Sequence, residues 1–155
     1  MKLPVQPAKY DKNLEQQRSA IVERGVTILE DRVSASSEVT GTFDMSLTGC
    51  TTVPTGAVHY VRRGNIVVLQ IPYLGGTSNT NRAALTGLPS FLRPARIQGC
   101  YVAIQDNGAA NSGHVTIDTD GTVTLFRTGP SGLEDIFTSS GTKGIYANTL
   151  TYALS

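Results

Sequence analysis

The stretch Glu38–Gly49 is the sequence feature that most constrains the fold, because its apolar and polar residues alternate with a period of two. One side of an extended chain would carry Val39, Phe43, Met45 and Leu47, and the other side Thr40, Thr42, Asp44 and Ser46. This period is typical of a β-strand with one buried face. The stretch therefore predicts the first strand of a β domain.

The composition changes just before this strand. Residues 1–37 hold six basic and five acidic side chains, whereas the following 118 residues hold only 14 charged side chains. Of the 16 glycines, Gly25 alone precedes Gly41. This shift predicts a linker at residues 34–37 and a β domain at 38–155. The total of 155 residues suffices for one ordinary domain with an appendage.

Charge and hydropathy narrow the range of partners. The net charge of +1 leaves no basic surplus for nucleic acid. No apolar run approaches the roughly 20 residues of a membrane-spanning helix, and Met1–Pro7 lacks the apolar core of a signal peptide. We therefore expect a soluble protein made in the cytoplasm, with no membrane insertion. In that compartment Cys50 and Cys100 are expected to be reduced thiols.

Residues 1–10 predict an extended arm. Pro4 and Pro7 fix their own φ angles and favour extended backbone in the residues before them. Leu3, Val5 and Tyr10 cannot bury themselves within so short a segment. The arm is therefore either disordered or bound to the surface of a partner.

Residues 11–33 predict one short helix that begins with Asp11 as its N-cap. Four apolar residues, Val22, Val26, Leu29 and Val33, recur at spacings of four, three and four. This spacing fits a parallel helical bundle. It also fits a single amphipathic helix packed on its own domain, and the sequence leaves both interpretations open.

The residues after Gly49 predict further short strands separated by turns. Strands are expected at 57–63, 65–71, 81–86, 96–105, 113–118, 122–128 and 142–154, with 66–71 buried on both faces. Loops are expected at 75–80, 106–112 and 129–140, and one helical turn at 87–94. The fold class is therefore mainly β: an antiparallel, jelly-roll-like β-sandwich of about eight strands.

The sequence contains no recognisable catalytic constellation. His59 and His114 are its only histidines, and neither forms a pair with zinc-ligand spacing. A nucleophile elbow and a glycine-rich phosphate loop are both missing. We therefore expect no enzyme activity, no metal and no cofactor. The body also has no tryptophan, so it shows no obvious platform for stacking sugars.

Several fragments in residues 38–155 resemble a β-sandwich module of tailed-bacteriophage virion proteins. They include Gly41–Phe43, Leu47–Thr52, Pro54–Gly56, Gly75 with Thr77–Asn79, Leu85–Pro89, Leu92–Ala95, Asp106–Gly108 and Ser140–Gly144. Residues 1–33 resemble the segments that attach such proteins to the particle. The resemblance implies a homotrimer on the virion surface with capsid or tail proteins as partners, and it carries over no catalytic residue.

This resemblance gives roles to three sets of residues. The arm residues Leu3, Pro4, Val5, Pro7 and Tyr10 would dock on the virion, and Val22, Val26, Leu29 and Val33 would form the trimer seam. The candidate tip-loop contacts are Thr77, Asn79, Asn107, Asn111, Ser131 and Glu134.

Two roles follow from the resemblance, head decoration (including head fibre) or a short tail fibre that contacts the host surface. The small size and the scarcity of aromatic residues in the loops, where Phe137 is the only one, favour decoration. A carbohydrate-binding module of an enzyme complex is the alternative from another class, and a host surface glycan is a further candidate partner.

Overall fold

The computed structural model describes residues 16–25, 37–130, 132 and 134–155. Residues 16–25 are helical (α1). Within the described ranges, no helix combines the length and the apolar character that crossing a membrane requires. Residues Glu38–Ser155 form a compact unit, which we call the β domain.

The described part of the β domain contains eleven strands and one turn of 3-10 helix. The strands are β1 Glu38–Thr48, β2 Thr55–Arg63, β3 Ile66–Ile71, β4 Leu74–Thr77, β5 Ala83–Thr86, β6 Gln98–Asp106, β7 Ala109–Ile117, β8 Val123–Thr128, β9 Glu134–Asp135, β10 Thr142–Ile145 and β11 Asn148–Ala153. The 3-10 turn is Ser90–Leu92, within the segment predicted to hold one helical turn. All paired strands are antiparallel, so the predicted mainly antiparallel β class is confirmed.

The strands join in one continuous hydrogen-bonded path, β11-β3-β2-β1-β5-β8-β7-β6-β10-β4, with β9 added to β8. Strand β1 belongs to both halves of this path. Residues 38–46 pair with β2, and residues 46–48 pair with β5, so Ser46 pairs with both strands. The long alternating strand Glu38–Thr48 is therefore shared between the two halves of the domain.

The sheet curls so that β4, at one end of the path, meets the residues that follow β1. Beyond β1, Cys50 forms a bridge with Ser78, and the Thr51 amide donates to the Thr77 carbonyl at 2.8 Å. Strand β4 is thus paired with β10 on one side and with the continuation of β1 on the other. This closure gives the C-terminal half of β1, together with β5, β8, β7, β6, β10 and β4, a barrel-like curvature.

Strand β11, at the other end of the path, lies against β6. The Cys100 thiol donates to the Thr151 carbonyl at 3.6 Å, and the Ala95 amide donates to the Leu154 carbonyl at 2.7 Å. The buried Tyr152 hydroxyl donates to the Leu92 carbonyl at 2.7 Å, which fastens the 3-10 turn to β11. These bonds hold the two halves of the sheet face to face around one core.

The core lies between these halves and is formed by alternate residues of most strands. On β1 the buried residues are Met45 and Leu47, and Phe43 is partly buried against them, as the alternation predicts, whereas Val39 on the same side is 47% exposed. Gly41 pairs with Tyr60, and a Cβ at Gly41 would lie 2.8 Å from the Tyr60 ring. A glycine at this register position therefore lets the tyrosine ring lie flat across β1.

Several local predictions differ from the structure. Strand β3 is not buried on both faces, since Ile66 is 47% exposed and Gln70 is also exposed. The reason is that an antiparallel sheet commonly packs only one face on the core. The predicted single strand 142–154 is divided into β10 and β11, and each half pairs with a different neighbour.

The predicted loops are shorter than expected because strand pairing extends into them. Residues Leu74–Thr77 form β4, and β7 begins at Ala109, directly after the two-residue turn Asn107–Gly108. Both turn residues have positive φ, 50° and 80°, as a tight hairpin requires. The predicted loop 129–140 contains the short strand β9.

Candidate functional site

A cleft of about 580 Å³ lies on the outer surface of the β domain. Its floor comes from three neighbouring strands, where Thr48, Ala84 and Thr124 occupy one register row, with Phe126 two residues further along β8. These residues alternate with buried Leu47, Leu85 and Leu125, so they face away from the core. The volume falls within the range of about 300–1,000 Å³ that is usual for small-molecule sites.

Two segments border the cleft, residues 80–82 before β5 and Asp135–Ile136 at the end of β9. The borders are joined directly, because the Phe137 amide donates to the Asn81 carbonyl at 3.1 Å. Ile136 is 57% exposed and Phe137 is buried, so the first of these adjacent side chains faces the surface and the second faces the core. We call the floor and these two borders the β5–β8 cleft.

Buried Lys143 holds the first border from beneath. Its side chain is fully buried, and its ammonium donates to the carbonyls of Thr80 and Arg82, the latter at 2.8 Å. The ammonium also lies 5.4 Å from the centre of the Phe137 ring. Burial lowers the pKa of Lys143. The ammonium of Lys143 therefore fixes the backbone of residues 80–82, although its burial costs desolvation free energy.

A network around Asp106 holds the second border. The buried Asp106 carboxylate accepts bonds from the Thr138 amide at 2.9 Å, from the Thr138 hydroxyl at 3.0 Å and from Arg127 at 3.2 Å. Arg127 also donates to the Asp135 carboxylate, and this bond is the main cause that lowers the pKa of Asp135. Asp135 in turn accepts from the Ile136 amide at 2.8 Å. The cleft is consequently shaped before any ligand enters, which reduces the cost of ordering on binding.

Beside the cleft, three ring-bearing residues lie across β6, β7 and β8. Tyr101 pairs with His114, and His114 pairs with Phe126. The His114 and Phe126 rings stack with their centres 5.0 Å apart at 16°, and the His114 Nε2 lies 2.7 Å from the Glu134 carboxylate. Tyr101 is 88% exposed. We call Tyr101, His114 and Phe126 the aromatic row, and Phe126 belongs to the cleft as well.

Neither feature is predicted from the sequence. The sequence indicates no stacking platform, whereas the structure places an aromatic row on the outer face, with Tyr101 exposed and His114 and Phe126 partly exposed. One signal was present: Tyr101 is out of phase with buried Val102 and Ile104, which places it outward on β6. The cleft floor gave no comparable signal, because it depends on the register of three strands far apart in sequence.

The predicted tip-loop residues fall at different places. Asn79 and Asn107 lie on either side of the segment Gly141–Thr142, since the Ser78 amide donates to the Gly141 carbonyl and the Gly108 amide to the Thr142 carbonyl. Thr77 ends β4, Asn111 lies within β7 and Glu134 lies in β9. Ser131 lies outside the described residues. The structure thus brings two of the three predicted loops together at one end.

The other predicted residues fall mainly outside the described part of the chain. This holds for the arm residues Leu3, Pro4, Val5, Pro7 and Tyr10 and for the seam residues Val26, Leu29 and Val33. Val22, in α1, is 63% exposed, and the neighbouring Ile21 is 70% exposed. Within the described ranges, no cluster of three His, Cys, Asp or Glu residues could hold a metal ion.

Comparison with known proteins gives a likeness of fold. No family model matches the sequence, and no curated protein matches it. Among solved structures, the fold is similar to that of the reovirus attachment protein sigma1, crystallised in complex with alpha-2,3-sialyllactose. The TM-score is 0.50 at 14% identity, and the match covers 75% of this chain and 66% of that chain. At this identity the likeness concerns the fold alone: the chain has a fold similar to that of a viral attachment protein.

Proposed function

We propose that this chain is a structural protein of a tailed-phage virion, a homotrimeric appendage on the particle surface. The observation that supports it most is the similarity of the fold to a viral attachment protein. The fragments of residues 38–155 that resemble phage virion modules point to the same class. The appendage would act by binding and not by catalysis.

In this proposal the two parts of the chain have separate tasks. The arm, with Leu3, Pro4, Val5, Pro7 and Tyr10, docks on a capsid or tail protein, and the β domain projects outward. The trimer seam uses Val22, Val26, Leu29 and Val33. The exposure of Val22 and Ile21 supports such a seam, because neighbouring β-branched residues on a helix surface gain stability when a partner covers them. Three linked arms would also bind the particle with avidity.

Between decoration of the head and contact with the host, the β5–β8 cleft favours host contact. A decoration protein needs surfaces for its capsid neighbours, whereas a small preformed cleft is suited to a small ligand. The structural neighbour was crystallised with a sialylated trisaccharide. We therefore propose a glycan of the host surface as the ligand, and a short tail fibre or receptor-binding protein as the role.

Immunogold labelling of purified virions with an antibody against the β domain tests the proposal. Gold at the tail supports the host-contact role, and gold spread over the head supports decoration instead. Absence of gold from all particles would overturn the virion proposal. Light scattering on the purified chain adds a second criterion, because a monomer that binds glycan would point to a carbohydrate-binding module.

A further inference from the structure

The β5–β8 cleft combines three kinds of groups that together suit one class of ligand. Hydroxyl and amide groups come from Thr48, Thr124 and Asn81, an aromatic surface from Phe126, and a cation from Arg82. We propose that this cleft binds a saccharide that carries an anionic group, and that Arg82 receives the anion. The inference rests on the proposed host-contact role and adds the position of the site and the charge of its ligand.

The floor of the cleft suits a sugar ring. A sugar has hydroxyl groups around its rim and carbon-bound hydrogens on its faces, so it needs both polar and apolar contacts. Phe126 and Ala84 supply apolar surface on the floor, and Ile136 supplies it at the border. The Thr48 hydroxyl donates to the Ala84 carbonyl at 3.0 Å, which leaves the lone pairs of its oxygen free to accept a bond. His114 stacks on Phe126 and thereby limits the ring's motion.

Of the charges around the cleft, that of Arg82 favours an anion. The Asp135 carboxylate is already paired with Arg127, which also contacts Asp106. Arg82 is exposed, and among the described residues its guanidinium has no hydrogen-bond or ion-pair partner. A guanidinium can hold a carboxylate or a sulfate through two parallel hydrogen bonds. The unpaired cation at the border is therefore the group that selects for charge.

The position of Arg82 is fixed although its guanidinium is free. Lys143 holds the Arg82 carbonyl at 2.8 Å, and the Asn81 carbonyl accepts the Phe137 amide at 3.1 Å. The backbone thus presents the Arg82 side chain at a constant place beside the floor. Only side-chain rotamers of Arg82 have to be ordered when an anion binds, so the entropic cost stays small.

A titration with matched sugars tests this inference. The full-length, ¹⁵N-labelled chain is titrated with methyl α-D-galacturonide, with the neutral methyl α-D-galactoside, with D-galactose 6-sulfate and with inorganic sulfate. We expect the two acidic sugars to shift the amides of residues 80–84 and 124–126 and to bind about tenfold more tightly than the neutral sugar. The two acidic probes distinguish a carboxylate from a sulfate ester as the anion.

Variants separate the roles of charge and ring. Arg82→Gln should remove the preference for acidic sugars, whereas Arg96→Gln, at another exposed arginine, should keep it. Phe126→Leu should weaken the binding of acidic and neutral sugars alike.

Three results would overturn the inference: no shifts in the cleft, equal binding of acidic and neutral sugars, or binding of sulfate as tight as that of the sulfated sugar. Each result leaves the immunogold test of the virion proposal unaffected, so the two failures can be told apart.

Discussion

Replacing Lys143 with methionine removes the cation that holds the first border of the β5–β8 cleft. Methionine has a similar length and fills the same space, so the change removes hydrogen bonds with little loss of volume. The Arg82 carbonyl loses its donor, and the Thr80 carbonyl keeps only the Ser78 hydroxyl, at 3.0 Å. A buried acceptor left without a partner costs about 1–3 kcal/mol.

The expected net effect of Lys143→Met is a loss of about 2 kcal/mol in the free energy of unfolding. The orphaned Arg82 carbonyl and the bond lost from the Thr80 carbonyl would together cost about 2–4 kcal/mol, and part of this is offset because an ammonium no longer has to be desolvated. For a domain of this size, such a loss lowers the Tm by about 8 °C.

Guanidinium unfolding followed by circular dichroism measures the effect of Lys143→Met. Arg96→Met serves as the control, since it removes an exposed cation and should change stability by less than about 0.5 kcal/mol. A Lys143→Met variant as stable as the wild type would refute the reasoning. In that case the two carbonyls would be satisfied in another way, and the border of the cleft would not depend on Lys143.

Three further predictions concern pH, assembly and docking. Because the folded-state pKa of Lys143 lies below its ordinary 10.5, the unfolded chain binds more protons between these two values. The stability of the wild type relative to Lys143→Met should therefore rise as pH increases through that window, and a constant difference would contradict this. Val22→Asp should lower the molar mass measured by light scattering, whereas Gln17→Asp, on the opposite face of the same helix, should not. An unchanged mass for Val22→Asp would mean that the β domain alone holds the subunits. Removing residues 1–10 should abolish co-sedimentation with virions while the circular dichroism of the β domain is retained, and retained co-sedimentation would refute docking by the arm.

Local patterns predicted much of the fold because many strands carry their own signal. The alternation ending at Met45 and Leu47 placed β1, and the turns at Gly64 and Gly121 placed two hairpins. The sequence predicts the chain reversal at Asn107–Gly108, but it predicts a return strand that begins only at Gly113. Its first residues, Ala109 and Ala110, are small and exposed, so they give no apolar alternation to read.

The site was harder to predict because long-range register creates it. Thr48, Ala84 and Thr124 are ordinary polar or small residues in their own strands, and only the pairing of β1, β5 and β8 makes them one surface. Lys143 shows most clearly that tertiary context can override the usual exposure of a residue type. A lysine in a glycine-rich segment predicts an exposed side chain, yet this one is fully buried. Its partners are backbone carbonyls, which leave no mark in a sequence.

The closed path of the sheet has a consequence for crowding. Unpaired strand edges are templates on which another chain can add a strand, and they are a common cause of aggregation. Here the continuation of β1 covers β4, and bonds from Ala95 and Cys100 engage the outer side of β11. Many copies packed at high local density would therefore meet through side chains and not through backbone pairing, so neighbouring domains could touch without fusing into a common sheet.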